Sequence, residues 1–278
     1  MNWPEFHHEA MATTFAVLIA DQTPEYARQA AAAAWRELDR LEGELSRYVE
    51  SSDIARANRL ACGETITIGD DALQCLLVAA DVTVATQRAF DAAYASTRTA
   101  GEPPGAPPFT LDPENHTLTS KSARLHLDLG AVGKGYALDR LAAVLGEWEI
   151  AAACLQSGGS TALALAPPAG HAGWPVGLGE GAAHRTLPLV QAALSGSGIA
   201  VKGAHLIDPR TGGPAARTDR AWALAPGAGL ADALSTAFFV LSDTEIAAFC
   251  AARPEIGAAV VTGGGRLVAH GALVRLFE

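Results

Sequence analysis

The order in which strand and helix patterns follow one another restricts the fold of this chain more than any other feature. Before residue 101 two long helical patterns dominate. The first is capped by Thr23 with Pro24 behind it and carries Ala27, Ala31, Ala34, Trp35, Leu38, Leu41 and Leu45 at helical spacing. The second starts near Asp70 and turns Leu73, Leu76, Leu77 and Val84 inward. Short strands at 13–20 and 65–68 precede them, and a polar segment, 46–58, leaves the first helix. Beyond Pro108 the pattern becomes a succession of short strands, at 124–129, 151–155, 161–166, 174–178, 186–194, 204–207, 221–224, 258–262 and 266–276. Helices interrupt them at 134–145, 230–241 and 244–252, the last opened by a Ser242/Glu245 capping-box pair and followed by Pro254. Strands outnumber helices and do not alternate with them strictly. The expected class is therefore α+β and not a doubly wound parallel sheet.

Between the two patterns lies Gly101 to Pro108 (GEPPGAPP), whose four prolines lack backbone donors and forbid a central strand or helix. It reads as a linker or as a surface insertion. No internal repeat of fixed period is present.

Composition closes off several functions. The 278 residues are 49% hydrophobic and 18% charged, enough to bury a sizeable core and too apolar for general disorder. Net charge is −10, which argues against a nucleic-acid or anionic-membrane surface. No run of apolar residues is long enough for a transmembrane helix. The first residues, MNWPEFHHEAM, lack the basic and apolar regions of a signal peptide, so the expectation is a cytoplasmic protein. Cys62, Cys75, Cys154 and Cys250 have no Cys-x-x-Cys spacing and read as reduced thiols.

Common hydrolase motifs fail. Gly133-Lys134-Gly135 invites a phosphate-loop reading, but Asp128 and Gly135 occupy positions that need Gly and Ser or Thr. No Gly-x-Ser-x-Gly elbow surrounds Ser157, Ser160, Ser195 or Ser197. Three other stretches carry chemistry. Asp128 to Asp139 (DLGAVGKGYALD) runs through a Gly-rich turn into a helix, so backbone N–H groups, Asp128 and Lys134 face one mouth suited to an anion, unless Lys134 is simply solvated. Asp232 and Thr236, four apart on a helix with Ser235 beside them, offer a carboxylate and hydroxyls to a hard cation such as Mg²⁺; a plain helix-terminal Asp is the alternative. His205 to Gly212 (HLIDPRTG) ends a strand in a turn. There His205 could serve as a base, and Arg210 could pair with phosphate or hold the loop through Asp208.

Together these stretches resemble the FAD:protein FMN transferases, the ApbE family, along most of the chain and in the family's order. Met11-Ala12-Thr13 stands where the family has Met-Gly-Thr. The stretches LSRY (45–48) and SSDIARAN (51–58) resemble its Ser-x-Tyr…Ser-Glu-Ile-x-x-x-Asn segment, and Ala89-Phe90-Asp91 its Gly-Ala-Phe-Asp element. Asp128 to Asp139 matches the central signature, with Gly158-Gly159, His205 to Gly212 and Asp232 to Thr236 completing the set.

The resemblance implies an ApbE-like fold of mostly antiparallel sheets with flanking helices. It further implies one domain over 1–278 built as two intertwined subdomains around a central FAD cleft, with 101–108 a surface loop. FAD, the substrate, would touch Met11, Tyr48, Ala89, Phe90, Asp91, Asp128, Lys134 and the backbone near Leu206. Mg²⁺ would sit between the Ala131 carbonyl, Asp232, Ser235 and Thr236. His205 would be the catalytic histidine. FMN would pass to a Thr or Ser of an acceptor protein in an Asp-Gly-x-Thr/Ser-Gly-Ala type of motif, leaving AMP. An Mg²⁺-dependent FAD pyrophosphatase, or a protein that only binds FAD, would use the same pocket. Departures cluster on the flanks of the pocket and the acceptor side: Arg88 for Gly, Ala93 for Thr, Ser160 for Asp, Gly196-Ser197-Gly198 for Thr-Ser-Gly, and Gly213 where an aromatic often precedes Pro. The family's frequent export or lipoprotein leader has no counterpart in the first residues.

Overall fold

The computed structural model describes residues 3–97, 106–179, 184–198, 207–213, 215, 218–262 and 265–277. Strands β1 (Glu5–Ala10) and β2 (Thr13–Ile19) form a hairpin and lead into α1 (Pro24–Leu45). Thr23 caps α1, accepting the Tyr26 N–H, and the Ala/Leu stripe read from the sequence is its buried face. A short helix, α2 (Asp53–Ala57), interrupts the polar segment after α1. Strand β3 (Thr65–Thr67) precedes α3 (Asp70–Ala85), and β4 (Phe109–Asp112) and β5 (Thr117–Ser120) complete a small sheet in the order β3-β5-β4.

After α4 (Gly133–Glu147) come β6 (Ala153–Ser157), β7 (Thr161–Ala164), β8 (Trp174–Leu178), β9 (Arg185–Leu189), β10 (Ala192–Gly198) and β11 (Arg220–Ala225). The chain then forms α5 (Ala228–Val240), α6 (Asp243–Ala251), β12 (Gly257–Thr262), β13 (Arg266–Gly271) and a final turn of helix, α7 (Val274–Phe277). Eight strands make one antiparallel sheet in the order β1-β2-β6-β7-β10-β11-β12-β13; β8 and β9 form a separate hairpin.

Both faces of the central strands are covered, which is why their sequences are nearly continuously apolar. Phe15, Val17, Leu155, Leu163 and Ala193 face the helices, whereas their neighbours Cys154, Ala162 and Leu194 pack with Trp174, Val176 and Leu187 of the β8–β9 hairpin. Helix α5 lies between the sheet and helices α3 and α4, and nearly all its residues are buried. Asp232 is thus a carboxylate inside an apolar helix, 3% exposed.

Several sequence expectations are corrected. The 124–129 segment alternates as a strand should, and Leu125, Leu127 and Leu129 are buried. Among the described residues it joins no sheet, however, and only Arg124 makes an isolated bridge, to Thr97. Asn58 takes both main-chain groups of Leu127, its Nδ2 donating to the carbonyl at 2.9 Å and its Oδ1 accepting the N–H at 2.6 Å. Ser96 Oγ accepts the His126 N–H and the Ala92 carbonyl accepts that of Asp128. The 186–194 pattern is two strands separated at Val190-Gln191, where Gln191 has φ +44°. Strand β1, with its alternating EFHHEA edge, and the β4–β5 hairpin are additional to the strands expected from the sequence. Of the expected strand at 204–207, residues 204–206 lie outside the described residues, as do 101–105 of the Pro/Gly-rich stretch.

Candidate active site

Helices α4 and α5 meet where their first turns cross. The contact is so close that a Cβ on Gly135 would stand 2.1 Å from the Ala228 carbonyl oxygen and 2.9 Å from Asp232 Cβ. Only glycine fits there. Asp139, one turn along α4, accepts the N–H groups of Ala228 at 2.7 Å and Gly229 at 2.8 Å, satisfying the open donors at the start of α5. Burial pushes the Asp139 carboxyl above the usual range, and those two hydrogen bonds pull against the rise.

This seam sets Asp232 beside Lys134. One Asp232 oxygen is 3.9 Å from the Lys134 ammonium and 3.3 Å from the Gly135 N–H; the other is 3.4 Å from Ser195 Oγ. For a buried carboxylate every one of these partners is distant. Around it the hydroxyls form a chain: Thr161 to Ser195 at 2.8 Å, Ser197 to Ser235 at 2.9 Å, and Ser197 to Thr236 at 3.3 Å. Ser157 sits opposite Thr161, which sits opposite Ser195, so adjacent strands align one polar row under α5. The buried Ser157 Oγ has no hydrogen-bond partner among the described residues.

Two cavities flank the Asp128–Gly130 turn. One, of about 340 Å³, takes Met11, Tyr48, Asp128 and Lys134 into its lining, with Glu42 and Arg47. The other, of about 240 Å³, takes Ala89, Phe90, Asp91, Asp128, Ala131 and Thr236, with Tyr94 and Ile207. Asp128 and Gly130 belong to both, so the turn divides one elongated site. Asp128 accepts the Gly130 N–H at 2.9 Å and lies 3.5 Å from Arg47 Nη2, while the Arg47 guanidinium covers the Tyr48 ring. Tyr48 is 80% exposed, and Tyr94 is also open to solvent. The turn between β1 and β2 holds Met11 at φ +50° and Ala12 at φ +58°, and the Met11 N–H donates to Glu42 at 2.7 Å.

The site therefore gathers Met11, Tyr48, Ala89, Phe90, Asp91, Asp128, Ala131, Lys134, Asp232, Ser235 and Thr236 at one end of the sheet. His205 and Leu206 lie outside the described residues. The Asp91 carboxylate is already committed to Arg88 and to the Ala93 N–H. Arg210 holds its loop, bonding Asp208 at 3.0 Å and Glu245 at 2.9 Å. Among the participants not singled out from the sequence are Arg47, Asp139, Thr161, Ser195 and Ser197. Asp139 closes the glycine signature and could have been noticed there, whereas the serines become polar neighbours of Asp232 only through strand pairing.

The model of the ApbE family matches residues 11–261. This chain belongs to the ApbE family. A relative described as an FAD:protein FMN transferase, from Treponema pallidum, is 29% identical over 180 residues, covering 57% of this chain and 50% of the relative. The chain thus spans about half the length of that curated relative. The flavin transferase ApbE of Vibrio cholerae superposes with a TM-score of 0.84 at 19% identity, over 99% of this chain and 100% of that one. The ApbE protein of Thermotoga maritima gives 0.82 at 22%, over 100% of this chain and 99% of its own. At such identities these likenesses show the fold, one of mostly antiparallel sheets with flanking helices. Among the described residues no group of three or more His, Cys, Asp or Glu side chains is placed to hold a metal ion, and no helix is long and apolar enough to cross a membrane.

Proposed function

We propose that this ApbE-family chain is a Mg²⁺-dependent flavin transferase that moves FMN from FAD to a Thr or Ser hydroxyl of an acceptor protein. The observation that carries the reading is the buried Asp232 carboxylate. Its partners all stand at the long end of their range, and it lies under a two-chambered site divided by a glycine turn. A dinucleotide has two ring systems joined by a diphosphate, and a divided site with exposed Tyr48 on one side and Tyr94 on the other suits that shape.

The donor set fits a hard cation. Asp232, Ser235, Thr236 and the Ala131 carbonyl offer only oxygens, and Mg²⁺ typically takes one or two carboxylates and completes its shell with waters and substrate phosphates. Held there, Mg²⁺ would neutralise charge that grows on the diphosphate as its bond to AMP weakens. The other groups act on their own account. Lys134 presents its ammonium beside Asp232 and adds a positive charge facing the same mouth. Asp128 and Gly130 fix the turn against which the diphosphate rests. His205, the family's histidine by resemblance, takes the proton of the attacking hydroxyl, whose oxygen bonds to the FMN phosphorus as AMP departs.

The test incubates the protein with FAD, Mg²⁺ and a small carrier protein bearing Asp-Gly-Ala-Thr-Gly-Ala in an exposed loop. The expected products are AMP and a carrier heavier by FMN less one water. Free FMN with an unaltered carrier would instead establish a pyrophosphatase. FAD left intact would establish a binding protein.

A further inference from the structure

A separate cavity, of about 270 Å³, opens on the face of the main sheet turned away from α4 and α5, at the same end of the sheet as Asp232. Glycines 158, 159, 196 and 198 line its sheet side, leaving main-chain atoms exposed where side chains would otherwise stand. Trp222 packs against Gly196, where a Cβ would come within 2.7 Å of its indole nitrogen. The opposite wall is strand β8.

The register of β8 shows which way its polar groups point. Pro175 lies opposite Pro188 in the β8–β9 hairpin, and neither has an N–H to give. That pair must be a non-hydrogen-bonded one, so Trp174, Val176 and Leu178 exchange bonds with β9. The Pro175 carbonyl and both main-chain groups of Gly177 then point to the other edge. No further strand pairs with that edge among the described residues, and Pro175 and Gly177 line the cavity. The cavity and the Asp232 cluster lie on opposite faces of the same two strands, β7 and β10. Ser197 and Thr161 belong to its lining, Ser197 Oγ is 2.9 Å from Ser235 Oγ, and Thr161 reaches Ser195, itself 3.4 Å from Asp232.

We infer that this cavity is the docking groove for an extended segment of the acceptor polypeptide, which pairs with the edge of β8 turned away from β9. The inference rests on the transferase reading and names the surface its partner uses. An added strand would take the Gly177 N–H and the Pro175 and Gly177 carbonyls as its ladder. Glycines opposite leave room for its main chain, and small residues flanking the target Thr or Ser suit so shallow a floor. A segment held there would run toward Ser197, from which a hydroxyl side chain can turn over the sheet edge to the diphosphate.

The test uses the full chain and the carrier protein described above. A Cβ at Gly159 meets nothing within 4 Å and the backbone there is not left-handed, so Gly159→Leu fills the groove without disturbing its walls. The expected result is a KM for the carrier raised about ten-fold or more, with FAD affinity held within about two-fold. In the unaltered protein, carrier should slow amide hydrogen exchange at Gly177. An unchanged carrier KM with no protection of Gly177 overturns the inference while transfer itself stands. Loss of FAD affinity in Gly159→Leu also overturns it, assigning the cavity to the cofactor. Failure of the unaltered protein to label the carrier removes the transferase reading and this inference together.

Discussion

Gly135 and Ala228 touch backbone to backbone, the former's α-carbon facing the latter's carbonyl with no space for a methyl group. This contact draws the glycine turn and the metal-type helix into one site. Gly135→Ala should push α4 and α5 apart, costing about 1–3 kcal/mol of stability as overpacking generally does. It should also lower FMN transfer well beyond what that loss explains. Urea unfolding and carrier labelling on the same preparation check both.

Asp139 holds the start of α5 from the neighbouring helix. Asp139→Ala leaves two N–H groups without their acceptor, and the expected cost is about 1–3 kcal/mol. Asp139→Asn keeps one acceptor oxygen and should lose less. If the carboxylate only fills space, both variants will unfold at the same denaturant concentration.

Ala12 and Arg88 stand where the family carries glycine, and both are left-handed, at φ +58° and +66°. An L-residue there is strained, so Ala12→Gly should stabilise the protein by about 1 kcal/mol. Thermal unfolding measures it. Arg88→Gly should gain less, because Arg88 also pairs with Asp91.

Asp71 ties three helices together. Its carboxylate accepts the Tyr136 hydroxyl of α4 at 2.6 Å, bonds Arg40 of α1, and lies 3.0 Å from Arg140. Burial raises its pKa, but the bonds from Tyr136 and Arg40 and the charge of Arg140 outweigh it and hold the group below its usual value. A depressed carboxylate contributes stability above its unfolded pKa, about 4, and loses it as pH falls through the folded value. Asp71→Asn should therefore cost about 1–3 kcal/mol at pH 7, discounted for exposed Arg40, and much less near pH 3. Equal losses at both pH values would contradict the assignment.

The helices were legible because their buried stripes are long and their caps explicit, as at Thr23 and Ser242. What escaped depends on partners distant in sequence. Strand β1 alternates polar and half-buried residues because it is a sheet edge, and it offers no apolar run to notice. The 124–129 segment has a strand's alternation, yet Asn58 and Ser96 take hydrogen bonds that a neighbouring strand would have taken. Asp232 was legible because it stands four residues before Thr236, with Ser235 beside it, on one helical face. The β10 serines around it were silent, since only the pairing of β7 with β10 sets Thr161 against Ser195. Tyr136 lies inside the glycine signature, and its bond to Asp71 exists only because α3 runs alongside α4.

The most direct measurement compares Asp232→Asn with the unaltered protein in FMN transfer to the carrier across a Mg²⁺ titration. The account predicts that the unaltered protein needs the metal, and that the variant loses about a hundred-fold or more of its rate at saturating Mg²⁺ while still binding FAD. A variant that labels the carrier at the original rate, with the same half-saturating Mg²⁺, would contradict it.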